Sequence, residues 1–218
     1  MKFIVITPPC FIADEARRIE ELFDCGLDLL HLRKPGAAAD DCSRLLDALP
    51  GRCRRRIVVH DNFALCRDYG LAGIHLNRRN PDIPAFIAAE RDLQAGSETF
   101  IPAPTPRYTV SASCHSIAEA AERKAYADYI FLSPIFDSIS KEGYQAAYTP
   151  AELAQAAADG IIDSRVTALG GVTAACIRQL RLWHFGGAAF LGDVWSKAGK
   201  AGFTSYAKAL ADELHKQA

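Results

Sequence analysis

The chain has 218 residues, half of them apolar and 23% charged, with 25 Lys and Arg against 26 Asp and Glu for a formal net charge of -1. That length suits one large domain, the apolar half excludes a disordered chain, and the even balance excludes an electrostatic footprint for nucleic acid or an acidic membrane surface, while a local pocket can still be basic. The opening apolar run ends after four residues at Thr7-Pro8-Pro9, no run approaches a membrane span, and the seven scattered cysteines form no C-x-x-C pair, so the expectation is a cytoplasmic protein whose thiols are mostly small buried hydrophobes.

Short β-rich apolar runs predict strands at residues 3–6, 29–32, 57–59, 73–76, 108–112, 129–132, 166–169 and 188–191. Between the first two, Ala16, Ile19, Leu22 and Phe23 share one side of a helical pattern, and Glu15, Arg17, Arg18, Glu20 and Glu21 take the other. Further helices are predicted at about 39–49, 62–69, 116–125, 150–159, 173–182 and 203–216, with Asp40, Ser116 and Thr149 as caps or near-caps and Pro150 in a first turn. Eight continuously apolar strands alternating with helical segments imply a parallel sheet covered by helices. They favour a single (β/α)8 TIM barrel over residues 1–218, with an open doubly wound sheet as the second choice. Residues 92–107 read as a loose connector, and residues 133–149 as a long loop on the face where a barrel places its chemistry.

Polar residues at the strand ends form one set. His31 and Arg33 follow the second strand, His60 and Asp61 the third, His75 and Asn77 the fourth, Ser113 and His115 the fifth. Ser138, Ser140 and Lys141 lie in the loop after the sixth, Gly170-Gly171 after the seventh and Gly192 after the eighth. Any one histidine is more often a structural imidazole than a functional one; four of the six at one end of a barrel point to a site. The glycine turns can present backbone N–H groups to an anion where barrels commonly bind phosphate, although a Gly pair also serves tight turns. Ser138, Ser140 and Lys141 offer two hydroxyls and an ammonium to phosphate, or simply a solvated loop. Arg33 suits an anion or a carboxylate. His115 is the best general acid or base, because an ordinary histidine pKa of about 6.5 allows it to take and return a proton. Cys114 beside it points the other way, which argues against a Cys-His nucleophile. Asp61 is the only carboxylate at these ends up to the fifth strand, thin support for Mg2+, and Asp193 reads as a cap.

The runs Leu-His-Leu-Arg, Val-Val-His-Asp, Gly-Ile-His-Leu, Ser-Cys-His-Ser, Ala-Leu-Gly-Gly-Val and above all residues 127–141 resemble, in order and across nearly the whole chain, the thiamin phosphate synthase and TenI superfamily. The resemblance implies a (β/α)8 barrel that acts on a thiazole phosphate in thiamin biosynthesis. One branch of the family joins hydroxymethylpyrimidine pyrophosphate to the thiazole phosphate with Mg2+; another includes a thiazole tautomerase that needs no metal. It also implies the phosphate site, carried onto Gly170, Gly171 and the backbone around Gly192, and a homodimer as a family-level expectation.

The departures from the synthase pattern favour the tautomerase branch. The synthase motif Gln-Leu-Arg-Glu-Lys is here His31-Leu32-Arg33-Lys34-Pro35, and Gly-Gln-x-Asp is replaced by Asn77-Arg78-Arg79-Asn80, which removes the second Mg2+ carboxylate. Arg78 and Arg79 as compensation for a metal keep the synthase as the alternative, with Ser113, Ser138, Ser140 and Lys141 on pyrophosphate, and Asp61 on Mg2+. Under the tautomerase reading the resemblance makes His115 the proton carrier, places Arg33 and His31 toward the ring carboxylate or the loop, and closes the site with Ser138 and Lys141. His60 and His75 complete the expected binding set. A non-catalytic thiazole phosphate binder is the third reading.

Overall fold

In a computed structural model that describes residues 1–95, 108–137 and 145–216, eight parallel strands close into a barrel in chain order. They are β1 (Lys2–Ile6), β2 (Leu29–Leu32), β3 (Ile57–Val59), β4 (Gly73–Leu76), β5 (Thr109–Cys114), β6 (Tyr129–Leu132), β7 (Val166–Ala168) and β8 (Gly187–Phe190). Closure is direct: β8 pairs with β1, Gly187 opposite Lys2 and Phe190 opposite Val5.

The surrounding helices are α1 (Glu15–Asp24), α2 (Ala39–Asp47), α3 (Gly51–Arg54), α4 (Ala64–Asp68), α5 (Ala85–Ala95), α6 (Ile117–Arg123), α7 (Pro150–Ala158), α8 (Ile177–Leu182), α9 (Gly192–Trp195) and α10 (Phe203–His215), with a 3-10 turn at Ala174–Cys176 leading into α8. The expected caps resolve differently. Ser116 Oγ accepts from the Glu119 N–H at 3.0 Å, and Thr149 and Glu152 form a capping box before Pro150. Asp40 instead lies inside the first turn of α2, whose cap position is Ala38, so its carboxylate acts only on the helix dipole.

Four strands run as the periodicity predicts and four shift at their ends. β5 continues to Cys114 because Ser113 and Cys114 still pair with Phe131 and Leu132. β8 begins at Gly187, where a Cβ would lie 2.7 Å from Thr167 Oγ1; the glycine marks a close approach inside the sheet and not a turn. Residues 92–95 of the expected connector belong to α5, and residues 96–107 lie outside the described set.

Alternation along the strands divides the core. Phe3, Val5, Leu30, Leu32, Ile74, Leu76, Val110, Ala112, Ile130 and Leu132 turn outward into the layer under the helices, while Ile4, Ile6, Tyr129, Phe131 and Ala189 fill the barrel. His31 and His75 share that interior, their rings 4.6 and 4.9 Å from Phe131. No helix among the described residues is long and apolar enough to cross a membrane.

Candidate active site

A cavity of about 380 Å³ opens at the C-terminal ends of the strands, lined by Ile6, Arg33, His60, His75, Asn77, Arg78, Arg79, Ser113, His115, Glu119, Arg123, Phe131, Ser133 and Leu169. This is the face on which a barrel of this kind builds its chemistry, and the volume suits a small heterocycle with charged substituents. Of the residues expected from the sequence, Arg33, His60, His75, Ser113 and His115 meet in this one wall. His31 does not. It is fully buried one layer beneath, because its position in β2 turns it into the barrel interior. Ser138, Ser140 and Lys141 lie outside the described residues.

His115 stands at the end of β5, and its Nδ1 is 3.2 Å from the Ser133 carbonyl. A carbonyl only accepts, so Nδ1 donates there, and in the neutral form of the ring Nε2 is the acceptor. Its backbone is held as well: the His115 N–H donates to Glu119 Oε2 at 2.7 Å, and Glu119 pairs with Arg123 at 2.6 Å. Glu119 and Arg123 were not singled out by sequence, although Ser116-x-x-Glu119 directly after a strand is a readable helix-start signal. Cys114, the neighbour, packs outward, and burial pushes its thiol up to about 12, so it is no nucleophile.

The floor of the cavity is a network of neutral imidazoles. His31 Nδ1 is 2.9 Å from His60 Nε2, and His31 Nε2 is 2.8 Å from Tyr129 Oη. Ser111 Oγ donates to the Ile74 carbonyl at 3.1 Å and therefore accepts from His75 Nδ1–H at 2.8 Å; His75 Nε2 then accepts from Ser113 Oγ at 2.8 Å. Three imidazole nitrogens lie within 4.8 Å of one another, but the His60 and His75 rings are stacked at 24° and 4.2 Å, so one ion could not lie in both ring planes.

Burial holds all three histidines below their usual range, His75 at about 3. Between those depressed values and the ordinary 6.5, the unfolded chain binds protons that the folded chain refuses. Stability is therefore complete above pH 6.5 and lost as the pH falls toward the folded values, by roughly 1 kcal/mol per pH unit for each histidine involved. Urea unfolding followed at successive pH values should show the midpoint dropping below neutrality, with a shallower drop in His75→Gln. A flat midpoint would contradict this neutral floor.

At the β2–β4 rim, the donor set decides whether Mg2+ fits. Asp61 Oδ1 accepts from Arg79 Nε at 3.1 Å, Arg79 Nη2 at 3.0 Å and Asn80 Nδ2 at 2.9 Å, and Oδ2 accepts from Arg79 Nη2 at 3.1 Å. Asp61, the carboxylate at this rim, thus already carries a guanidinium, and Asn80 turns a donor toward it. Mg2+ is held in such sites by one or two carboxylates together with substrate phosphates and water, and the one carboxylate at this rim already faces only donors, so these residues do not fit it. Asn77 organises the turn, its Oδ1 accepting from the Arg79 N–H at 2.9 Å and its Nδ2 donating to the His60 carbonyl at 2.9 Å. Lys34 is no substitute for a synthase lysine. It is buried with its Nζ 2.7 and 2.8 Å from the Glu15 carboxylate.

At the opposite end, Leu169 lines the cavity, and Gly170 and Gly171 follow it directly at φ +92° and +64°. A Cβ on Gly171 would lie 2.3 Å from the Asp137 carbonyl, so glycine is required for the loop after β6 to pass. Gly192 opens α9, which has no side-chain cap. The expected cap, Asp193, instead accepts from Lys197 Nζ at 2.8 Å and from Tyr206 Oη, which anchors α9 to α10.

A family model described as thiamine monophosphate synthase, TMP-TENI, matches residues 3–194. Thiamine-phosphate synthase of Listeria innocua is 28% identical over 132 residues, 56% of this chain and 55% of that protein, so the matched part spans only about half the length of that relative. The enzyme of the same name from Listeria monocytogenes serotype 4b is 26% identical over 163 residues, 71% of this chain and 69% of that protein. The crystal structure of thiamine phosphate pyrophosphorylase from Bacteroides thetaiotaomicron superposes over the whole of both chains, with a TM-score of 0.80 and 37% identity. Matched over nearly all of its barrel, the chain belongs to the thiamine monophosphate synthase (TMP-TENI) family.

Proposed function

We propose that the protein is a thiazole tautomerase of this family: an acid–base isomerase that acts on a phosphorylated carboxythiazole. The observation that carries this reading is His115, with its Nδ1 on the Ser133 carbonyl and its Nε2 without a hydrogen-bond partner among the described residues, in the wall of the cavity. Nε2 accepts the proton from a ring carbon and the resulting imidazolium returns it to the exocyclic carbon, which leaves the aromatic isomer. The proton count is unchanged and no redox partner is needed. The neutral floor of His60, His75 and Ser113 accommodates an uncharged ring, and Arg33 faces its carboxylate. In this reading the phosphate lies at the corner of Gly170, Gly171 and Gly192, where backbone N–H groups can receive it.

The names of the relatives favour a second reading, synthesis of thiamin phosphate with release of pyrophosphate. Against it stands the donor set around Asp61, which does not suit the Mg2+ that this family's synthases use. Two assays on the full chain separate them. The first follows conversion of carboxythiazole phosphate to its aromatic isomer; the second follows pyrophosphate release from hydroxymethylpyrimidine pyrophosphate and thiazole phosphate, with and without Mg2+. The expected result is isomerisation that proceeds in EDTA, with little pyrophosphate release. Mg2+-dependent release without isomerisation would overturn the proposal in favour of the synthase.

A further inference from the structure

We propose that Glu119 is a positioning residue for His115: its carboxylate fixes the His115 backbone, and its charge, held in place by Arg123, stabilises the imidazolium formed when Nε2 takes a proton. The inference rests on His115 as the acid–base group proposed above and names what stands behind it.

Glu119 lies in the first turn of α6, where Oε2 accepts from the His115 backbone N–H at 2.7 Å and Oε1 lies 2.6 Å from Arg123 Nη2. With one oxygen on the backbone and the other on a guanidinium, the carboxylate has little freedom to turn. The Glu119 and Arg123 side chains are 28% and 27% exposed, and both line the cavity with His115. Among the described residues that line it, Glu119 is the one carboxylate. Burial works against its charge, but the His115 N–H and Arg123 outweigh burial, the charge of the His115 ring acts with them, and the carboxyl is held below its usual range.

A helix-start role alone does not account for this placement. Ser116 Oγ already caps α6 by accepting from the Glu119 N–H at 3.0 Å. In a capping box the glutamate returns a bond to the N–H of the cap residue, as Glu152 does to Thr149 at 2.7 Å in α7. Glu119 reaches one residue further back, to His115.

The other groups around the imidazole are neutral or lie across the cavity. Nδ1 is 3.2 Å from the Ser133 carbonyl and 3.4 Å from its Oγ. Cys114 and Tyr148, both within the field of Glu119, are pushed up by burial to about 12 and carry no charge near neutrality. His60 and His75 are held neutral by burial. Arg33, Arg78 and the Arg79–Asp61 pair belong to the β2–β4 rim. Glu119 and Arg123 therefore act on the imidazolium in opposite senses, the carboxylate favouring it and the guanidinium limiting that effect.

The test is NMR titration of the imidazole protons in the full chain, with His115 assigned by its absence from His115→Asn. Wild type, Glu119→Gln and Arg123→Gln are compared, and kcat and KM for isomerisation are measured on the same preparations. Gln at 119 keeps an oxygen for the His115 N–H and suits a helix start, so only the charge is lost; Gln at 123 keeps a donor for Glu119. The expected result is a pair of opposite shifts, about half a pH unit down in Glu119→Gln and a similar amount up in Arg123→Gln, as partly screened charges give. In Glu119→Gln, kcat should fall about three- to tenfold with KM within about twofold of wild type. Circular dichroism verifies that the variants fold. A Glu119→Gln protein that titrates and turns over as wild type would reduce Glu119 to a helix-start residue and overturn the proposal, as would shifts of the same sign in both variants. Opposite shifts in a protein that isomerises nothing would uphold the placement of Glu119 and overturn the reaction instead.

Discussion

Replacement of His115 by Asn is expected to lower turnover about 100- to 10,000-fold, while affinity for thiazole phosphate stays within about threefold of wild type. The reasoning follows from what Asn keeps and what it loses. Its amide can still donate to the Ser133 carbonyl, now 3.2 Å from Nδ1, and the backbone N–H still reaches Glu119 at 2.7 Å, so the end of β5 has no cause to move. An amide cannot accept and return a proton near neutral pH, so only the chemical step should suffer. Isomerisation rates and thiazole phosphate titration, measured on the same preparation, give the two quantities. A variant that turns over at more than a tenth of the wild-type rate would remove His115 from the chemistry. One that loses binding in proportion would make it a structural support for the loop after β6.

The barrel was legible because each strand buries both faces, and such strands are continuous apolar runs that periodicity detects. His115 and Arg33 were legible for a related reason: a polar residue directly after such a run can only sit at the strand's mouth. His31 was not, since its placement depends on inside-outside alternation within β2, and a histidine within an apolar strand gives no sign of which face it takes. The Asp61–Arg79 pair was hidden for another reason. The two residues are 18 positions apart and meet only because β3 and β4 are neighbours whose ends rise together. Nothing local distinguishes a carboxylate awaiting Mg2+ from one already held by an arginine. α5 follows closely on Pro81 and Pro84, residues that favour turns over helices and so blur a helix start in the sequence. Ser138, Ser140 and Lys141 fall outside the described residues, so their part rests on the sequence and the resemblance alone.

Loss of Glu15 should be among the most damaging single changes in the molecule, because it strands a buried ammonium. Lys34 and Glu15 side chains are 1% and 3% exposed and lie 2.7 Å apart at closest approach. Burial lowers the Lys34 pKa and the Glu15 carboxylate opposes that shift, so the pair is held by its own geometry and not by solvent. Lys34 Nζ also donates to the Pro8 and Cys10 carbonyls, each at 2.9 Å, and stands 4.6 Å from the centre of the Phe11 ring. One ammonium therefore ties the loop after β1 to the start of α1 and to the end of β2. Glu15→Ala is expected to cost about 3–5 kcal/mol in urea unfolding, the range for a buried ion pair deprived of one partner. Adding Lys34→Met to Glu15→Ala should recover only part of this, since the two loop carbonyls then lose their donor. The same double variant tests function. Lys34 is turned away from the cavity wall, so thiazole phosphate affinity in the refolded double variant should stay near wild type, whereas a lysine that served the anion would take affinity with it when removed. Equal stability of Glu15→Ala and wild type would show that the pair is not buried as described, and would return Lys34 to the set of residues that can reach the anion.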